Sequence, residues 1–204
     1  MDSIHQHTQL STRRQFLRNT LFVLPAAASL LTLLPSQVSS APASRYGILG
    51  QRAPTLKMDY WIDSQGEQTQ FNPGLLSGKW VYMKFFQGWC PGCHKYGFPA
   101  LQKVHKAFGD NGKVAILAIQ TVFEGFAFNT KGRLRDMQER YDLPILMGHD
   151  AGEFIGNSHP RTMQTYRSGG TPWVVIINPA GNVIYNDFHI DADRFIAYLT
   201  KRLT

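Results

Sequence analysis

The sequence predicts an α/β fold, because strand-like and helix-like segments alternate along most of the chain. Apolar, β-prone runs of five to eight residues are typical of buried strands. In chain order the predicted segments are strand 80–86, helix 96–108, strand 113–120, helix 131–141, strand 143–147, strands 173–178 and 182–188, and a last helix 191–202. Strands that alternate with helices in this way favour a sheet covered by helices.

Turn and capping residues mark the ends of these segments. Asp110-Asn111-Gly112 is a turn between the first helix and the strand after it, and residues 178–182 (Asn-Pro-Ala-Gly-Asn) predict a hairpin turn. Asn129 is predicted to cap the helix from about Lys131, and Asp191 opens the last helix.

Two segments are predicted to be less regular. Residues 44–74 are interpreted as an N-terminal β extension, with two short strands around a turn at 64–66 (Ser-Gln-Gly). Residues 150–170 contain Gly and Ser with few apolar repeats, which predicts a loop with one helical turn. His149 and Asp150 are placed at the end of strand 143–147.

The first 43 residues are predicted to be a twin-arginine signal peptide. Residues 11–18 (Ser-Thr-Arg-Arg-Gln-Phe-Leu-Arg) match the twin-arginine export motif, and the apolar stretch 21–34 is too short to span a bilayer comfortably. Ala41-Pro42-Ala43 supplies a small-x-small cleavage site. The periplasm is therefore the predicted destination. An uncleaved signal anchor is the alternative.

Composition argues against a nucleic-acid-binding protein. Removal of residues 1–43 lowers the formal net charge from +7 to +5 and leaves about 161 residues, which suits one domain with a full-sized core. The remaining basic residues are spread along the chain, and no dense basic run interleaved with aromatics occurs.

The chain contains only two cysteines, Cys90 and Cys93, and they stand three positions apart between a predicted strand and a predicted helix. Two thiols across the first turn of a helix can close a small disulfide ring, and the free N–H groups and positive dipole end of the helix favour the thiolate of the first. A thiolate is the attacking species in disulfide exchange, so Cys90 is predicted to attack and Cys93 to resolve the mixed disulfide. Pro91 fits the first helical turn, whereas Pro99 is predicted to kink the helix.

Two other roles for this cysteine pair are less consistent with the sequence. A structural zinc site usually takes four Cys or His ligands, and the chain has no second cysteine pair and no histidines at ligand spacing. A purely structural disulfide would close so short a ring that it would stabilise the fold little.

These residues resemble the thioredoxin superfamily. The segment Trp89-Cys90-Pro91-Gly92-Cys93 follows a strand, and about 80 residues later Thr171-Pro172 precedes another strand, as in the cis-proline loop of that family. The 44–74 extension and the "Leu-Ser-Gly-Lys" lead into strand 80–86 are similar to the TlpA-like and redoxin-like branch. The resemblance covers nearly all of residues 75–203.

The resemblance implies a thioredoxin-like fold, with a central mixed sheet flanked by helices over residues 75–204. It implies a thiol–disulfide oxidoreductase that needs no cofactor or metal beyond its own Cys90–Cys93 disulfide. Trp89, Pro91, Gly92, Thr171 and Pro172 would then contact the substrate. The expected partners are protein thiols and disulfides and a membrane redox partner, and the TlpA-like layout favours a reductase.

Lys84 departs from the family pattern. Thioredoxins hold a buried carboxylate six positions before the first cysteine, where this chain has a lysine in an otherwise apolar strand. A buried lysine has a lowered pKa; if charged it would favour thiolate, and if neutral it could take the proton from Cys93. Alternatively, the side chain turns outward or reaches solvent along the strand.

A peroxiredoxin-like peroxidase is the second functional hypothesis. That family needs a Pro-x-x-x-Thr-x-x-Cys loop, but the Thr and Pro positions hold Gln87 and Met83 when counted from Cys90, and Cys90 and Phe86 when counted from Cys93. A non-catalytic binding or chaperone module on the same fold is a third hypothesis, and it would not need both thiols.

Residues 121–130 contain three phenylalanines, Phe123, Phe126 and Phe128. The default expectation is that they pack as core under a loop. The alternative is an apolar lip beside the cysteines that receives a protein partner.

Overall fold

The structure, a computed structural model, describes residues 45–58, 60–153, 156 and 158–204. The described residues form seven strands and four α-helices. The strands are β1 (Tyr60–Ile62), β2 (Gln68–Thr69), β3 (Trp80–Phe86), β4 (Val114–Val122), β5 (Leu146–Ala151), β6 (Trp173–Ile177) and β7 (Val183–Asp187). The helices are α1 (Phe98–Phe108), α2 (Arg133–Tyr141), α3 (Arg161–Tyr166) and α4 (Ala192–Leu203). A 3-10 turn covers Pro73–Leu76 and a π-helical turn covers Cys93–Gly97.

All seven strands belong to one mixed sheet in the order β2-β1-β5-β4-β3-β6-β7. The strand β3 lies near the centre, parallel to β4 and antiparallel to β6, and β4 is parallel to β5. Parallel neighbours need a crossover, which α1 supplies between β3 and β4 and α2 between β4 and β5. The predicted mixed sheet flanked by helices is confirmed.

The predicted N-terminal β extension joins this sheet. Strand β1 pairs antiparallel with both β2 and β5, so the segment around the 64–66 turn continues the sheet beyond β5. The predicted hairpin turn also forms between β6 and β7, where the backbone N–H of Gly181 donates to the Asn178 carbonyl at 2.8 Å.

Strand alternation divides the core between the two faces of the sheet. Tyr82 and Phe86 of β3 point to the face covered by α1, α2 and α4, whereas Val81 and Phe85 point to the face covered by α3 and the N-terminal segment. Lys84 lies between Tyr82 and Phe86 in this alternation, so its side chain starts on the α1 and α4 face. This placement decides its environment at the active site.

Two local predictions are wrong. The strand predicted at 143–147 is shifted to Leu146–Ala151, so His149 and Asp150 lie inside β5 and not at its end. Asn129 does not cap α2, whose N-cap is Gly132 without a side-chain hydrogen bond; its side chain turns inward instead. Helical backbone runs from residue 91 to 108, with a π-helical turn over Cys93–Gly97 just before Pro99; the kink expected at Pro99 stays a prediction.

Two capping and loop predictions agree with the structure. The Asp191 side chain accepts a hydrogen bond from the backbone N–H of Arg194 at 3.0 Å, as an N-cap residue does. The single helical turn expected within 150–170 is the short helix α3.

No helix among the described residues is long and apolar enough to cross a membrane. The predicted signal peptide, 1–43, lies outside the described residues and stays a prediction.

Candidate active site

The two cysteines lie where the central strand passes into its crossover helix. β3 ends at Phe86, the backbone N–H of Cys90 donates to the Gln87 carbonyl at 3.2 Å, and residues 91–92 begin the helical backbone. The π-helical turn then starts at Cys93, and the N–H of Phe98 closes it onto the Cys93 carbonyl. The sequence pattern of strand, cysteine pair and helix thus places both sulfurs at the carboxyl end of β3.

The two thiols have different environments. The backbone N–H of Cys93 donates to Cys90 Sγ at 3.2 Å, and Cys90 Sγ lies 3.5 Å from the Thr171 carbonyl oxygen, to which its S–H can donate. Cys90 is 7% exposed and Cys93 is 0% exposed. An incoming disulfide can therefore reach Cys90 but not Cys93.

These environments shift the two pKa values in opposite directions. A hydrogen bond from the Cys93 thiol is the largest cause that lowers the pKa of Cys90, to about 6, and Thr171 and the N–H groups of Cys93 and Gly92 contribute despite the opposing effect of burial. Burial is the largest cause that raises the pKa of Cys93, followed by its interactions with Cys90. At neutral pH the pair consists of one thiolate, Cys90, and one thiol, Cys93.

The Thr171-Pro172 peptide bond is cis, and its loop faces the cysteines. A Cβ added to Gly92 would lie 3.1 Å from Pro172 Cδ, so Gly92 allows the close approach of the two segments. The structure thus brings together Cys90, Gly92, Thr171 and Pro172, which are far apart in sequence. Pro91 is exposed at the start of the helix.

Lys84 is buried, with 1% of its surface exposed, so the expectation that it turns to solvent is wrong. Its ammonium end lies against the π-helical turn, where a Cβ added to Gly97 would be 2.9 Å from Nζ. Burial lowers the pKa of Lys84 to about 8, while Cys93 and then Cys90 act to raise it. In turn, a charged Lys84 lowers the pKa of Cys93, whereas the main causes that lower the pKa of Cys90 are hydrogen bonds.

A cavity of about 280 Å³ connects the Lys84 side chain to the surface between α1 and the segment before α4. Its titratable lining groups are Lys84, Lys95, Tyr96, Lys103 and His189, and no carboxylate lines it. Among the described lining residues Lys84 therefore has no carboxylate partner, and the cavity gives it a route for proton exchange with solvent.

An open groove of about 680 Å³ lies beside Cys90. We call it the aromatic groove, and its apolar walls are Tyr46, Trp89, Phe123, Met163 and Phe188. The indole of Trp89, 44% exposed, lies over Gly125, where an added Cβ would be 2.9 Å from Nε1. An apolar groove next to a reactive sulfur can receive a side chain that flanks a substrate cysteine.

The three phenylalanines of 121–130 do not form core, so the default expectation for them is wrong. Phe123 lines the aromatic groove, Phe126 is half-buried and Phe128 is 65% exposed. The alternative, an apolar lip beside the cysteines, fits Phe123.

A buried amide, Asn129, holds the loop before Cys90, and the sequence analysis missed this role. The backbone N–H of Gly88 donates to Asn129 Oδ1 at 2.7 Å, and Asn129 Nδ2 donates to the carbonyls of Glu124 and Gly125, each at 3.1 Å. Its contacts lie up to 42 positions away in the chain. No local sequence signal indicates so distant a partner.

His94 holds the same loop from its other side. Its Nε2 is 2.8 Å from the Gly88 carbonyl oxygen and its Nδ1 is hydrogen-bonded to the Tyr141 hydroxyl. Its position next to Cys93 was visible in the sequence, but its partners on α2 and in the loop were not.

No group of three or more His, Cys, Asp or Glu side chains that could hold a metal ion occurs within the described ranges. The site is therefore built from sulfur, backbone amides and one buried amine.

Comparison with known proteins agrees with this site. The AhpC/TSA family profile matches residues 49–186. The crystal structure of the thioredoxin-like superfamily protein SPOA0173 is 31% identical, with a TM-score of 0.64 over 74% of this chain and 95% of that one. A thiol-disulfide isomerase from Corynebacterium glutamicum is 27% identical, with a TM-score of 0.62 over 74% and 96%.

A more distant structure shares the fold. The secreted Mycobacterium tuberculosis disulfide oxidoreductase described as homologous to E. coli DsbE is 17% identical, with a TM-score of 0.50 over 71% of this chain and 96% of that one. A comparison with curated protein sequences gives no significant match.

Fold, site and comparisons together define the class: a thioredoxin-like thiol–disulfide oxidoreductase, as the resemblance implied. The chain belongs to the AhpC/TSA family within the thioredoxin-like superfamily. Enzymes of this kind work through a cysteine disulfide.

Proposed function

We propose that this protein reduces disulfides in exported proteins of the periplasm by exchange with its Cys90–Cys93 pair. The observation that supports this proposal most strongly is the difference between the two cysteines. Cys90 Sγ is accessible and accepts a hydrogen bond from the Cys93 N–H at 3.2 Å, whereas Cys93 is fully buried. Cys90 thiolate attacks a substrate disulfide and releases one substrate thiolate. Cys93 then attacks Cys90 Sγ, releases the second substrate thiolate and closes the Cys90–Cys93 disulfide.

The substrate segment is held by the residues around Cys90. Trp89 and Phe123 form walls of the aromatic groove, while Gly92, Thr171 and Pro172 shape the edge nearest the sulfur. A membrane redox partner would return electrons to the pair after each cycle, because a reductase must itself be reduced again.

Lys84 is proposed to act mainly on Cys93. In the mixed disulfide neither sulfur of the pair is a thiolate, so burial favours a neutral Lys84 amine. A neutral amine can accept the proton that Cys93 must lose before it attacks. The surface cavity then lets Lys84 release that proton to solvent or to the leaving thiolate.

The modest stabilisation of the Cys90 thiolate supports the reductive direction. A thiolate pKa of about 6 is close to that of thioredoxin, about 7, and far above that of a strong oxidant such as DsbA, about 3.5. Since strong stabilisation of the reduced thiolate makes an oxidant, moderate stabilisation favours a reductant.

A thiol peroxidase is the second candidate, and the AhpC/TSA family match is the observation in its favour. The residues at the Thr and Pro positions of the peroxidase loop argue against it, because Gln87 is a buried amide and Met83 lies in the middle of β3. Neither side chain can supply the hydroxyl that the peroxidase motif places beside its cysteine.

Periplasmic location is supported by Arg13-Arg14 and the Ala41-Pro42-Ala43 site. Replacing both arginines by lysine is expected to retain the precursor in the cytoplasm, measured by cell fractionation and immunoblotting. Unchanged periplasmic recovery would contradict twin-arginine export.

Reduction of insulin disulfides by the purified protein, supplied with a chemical reductant, tests the exchange activity. Cys90→Ala is expected to abolish turnover, whereas Cys93→Ala is expected to accumulate a long-lived mixed disulfide through Cys90. Peroxide consumption measured on the same samples distinguishes the peroxidase: rapid peroxide turnover without insulin reduction would overturn the proposal.

A further inference from the structure

A second hollow, of about 640 Å³, opens beside the aromatic groove on the edge formed by β5 and the start of α3. Three exposed cations line it, Lys57, Lys131 and Arg161, and we call it the cationic hollow. His159 and Gln164 line both the hollow and the aromatic groove, so the two openings share a wall. A chain lying in one can continue into the other.

No ion pair between described side chains involves the three cations of the hollow. Each of the five ion pairs found across residues 45–58, 60–153, 156 and 158–204 is made by other side chains. Lys131 Nζ instead lies 4.9 Å from the centre of the Tyr60 ring. Three unpaired cations around one opening attract an anionic group.

Two carboxylates among the described lining residues offset part of this charge, and three cations against two carboxylates leave a net positive charge. Asp150 is buried, and its carboxylate accepts hydrogen bonds from the N–H groups of Arg161 and Thr162, at 3.3 and 2.7 Å, and from the Thr162 hydroxyl. Glu153 is the one other carboxylate among the described lining residues. Burial and Lys131 lower the pKa of His149, which leaves that ring neutral at pH 7.

We propose that the cationic hollow binds an acidic side chain of the substrate polypeptide, close in sequence to the cysteine that reacts with Cys90. The apolar neighbours of that cysteine lie in the aromatic groove, and the chain continues past His159 and Gln164 to place its carboxylate among Lys57, Lys131 and Arg161. This names the preferred substrate class, a protein disulfide flanked by apolar and acidic residues, and it rests on the proposed exchange function.

The test uses short peptides that carry one cysteine as a mixed disulfide with a neutral hydroxyethyl group. The peptides share apolar neighbours and differ only in Glu, Gln or Lys placed at successive positions on either side of the cysteine. The full reduced protein is mixed with each peptide, and kcat/KM is measured together with its dependence on salt. Hydroxyethyl disulfide, small and uncharged, serves as the reference substrate.

At one position or more, the Glu peptide is expected to react about fivefold faster than the Gln peptide, a size typical of one or two exposed ion pairs. The Lys peptide is expected to be slower than both, and about 1 M salt should remove the differences because the screening length falls to about 3 Å. The variant Lys57→Gln/Lys131→Gln is expected to lose the preference and to reduce hydroxyethyl disulfide at the wild-type rate.

The matched control is Lys106→Gln/Lys201→Gln, which removes the same charge from exposed positions on α1 and α4. This control is expected to keep the preference for Glu. Equal rates for all peptides, or a preference that persists without Lys57 and Lys131, would overturn this inference while leaving the exchange function intact. Failure of the wild-type protein to reduce hydroxyethyl disulfide would overturn the proposed function, and this inference with it.

Discussion

Gly97 lies directly against the ammonium end of Lys84. A Cβ added to Gly97 would stand 2.7 Å from Lys84 Cε and 2.9 Å from Nζ, and 3.3 Å from Pro172 Cβ. The absence of a side chain at this position in the π-helical turn gives the buried amine its room. The position of Lys84 near the sulfurs therefore depends on a glycine thirteen residues later in the chain.

Gly97→Ala is expected to displace the Lys84 amine and to slow the attack of Cys93 on the mixed disulfide. Alanine is favoured over glycine in helical backbone by up to about 1 kcal/mol, and this gain offsets the cost of displacing the Lys84 amine. The free energy of unfolding should therefore change little. The measurement is the decay of a preformed Cys90 mixed disulfide by stopped-flow. Gly112→Ala is the control, because an added Cβ there meets nothing within 4 Å; equal decay in both variants would refute the dependence on Gly97.

Lys84→Met keeps a long apolar side chain and removes the amine. If Lys84 accepts the Cys93 proton, decay of the mixed disulfide at pH 7 should slow by about 100-fold, at the low end of general base contributions. The pKa of Cys90 should rise only slightly from about 6, because hydrogen bonds from Cys93, Thr171 and two backbone N–H groups are the main causes that lower it. A raised Cys90 pKa with unchanged decay would show instead that Lys84 stabilises the thiolate.

The reduction potential should depend on pH in steps. At a pH below the Cys90 pKa of about 6, reduction takes up two protons, and the reduction potential falls by about 59 mV per pH unit. At a pH above that value, reduction takes up one proton, and the potential falls by about 30 mV per pH unit. The oxidised pair carries no thiolate, so the pKa of Lys84 is lower there than the value of about 8 in the reduced pair. At a pH between the Lys84 pKa of the oxidised pair and that of the reduced pair, reduction also adds a proton to Lys84. Reduction then takes up two protons again, and the slope returns to about 59 mV per pH unit.

Redox titration from pH 5 to 9 against glutathione or thioredoxin standards measures these slopes. Lys84→Met should show the single break near pH 6 without the steeper segment below pH 8. Identical slopes in the wild-type protein and the variant would mean that Lys84 does not exchange protons with the redox reaction.

Much of this fold and site could be predicted from local sequence. The Cys90-Pro91-Gly92-Cys93 segment and Thr171-Pro172 carry their information in short spacings, and Asp191 fixes the start of α4 through its own side chain. The burial of Lys84 could not be predicted this way, because strand alternation assigns a face but not what covers it. The role of Asn129 was missed for a similar reason. From local sequence, an asparagine that caps a helix cannot be distinguished from one whose partners are distant in the chain.

Asn129→Ala is expected to destabilise the protein by about 1 to 3 kcal/mol, because it leaves the part-buried N–H of Gly88 without its acceptor and removes the donor to the Glu124 and Gly125 carbonyls. Chemical denaturation measures this change. Asn111→Ala is the control: Asn111 accepts the Lys113 N–H in an exposed turn, so its loss should cost less than about 0.5 kcal/mol. Similar losses in the two variants would contradict an anchoring role for Asn129.

The difference between the two thiols is the central claim, and alkylation of the reduced protein by iodoacetamide between pH 4 and 9 tests it most directly. Mass spectrometry of the quenched digest identifies which cysteine has reacted at each pH. We expect modification at Cys90 with a midpoint near pH 6, while buried Cys93 stays unmodified in the folded protein. Earlier modification of Cys93, or a Cys90 midpoint at the ordinary thiol value of about 8.5, would contradict the account.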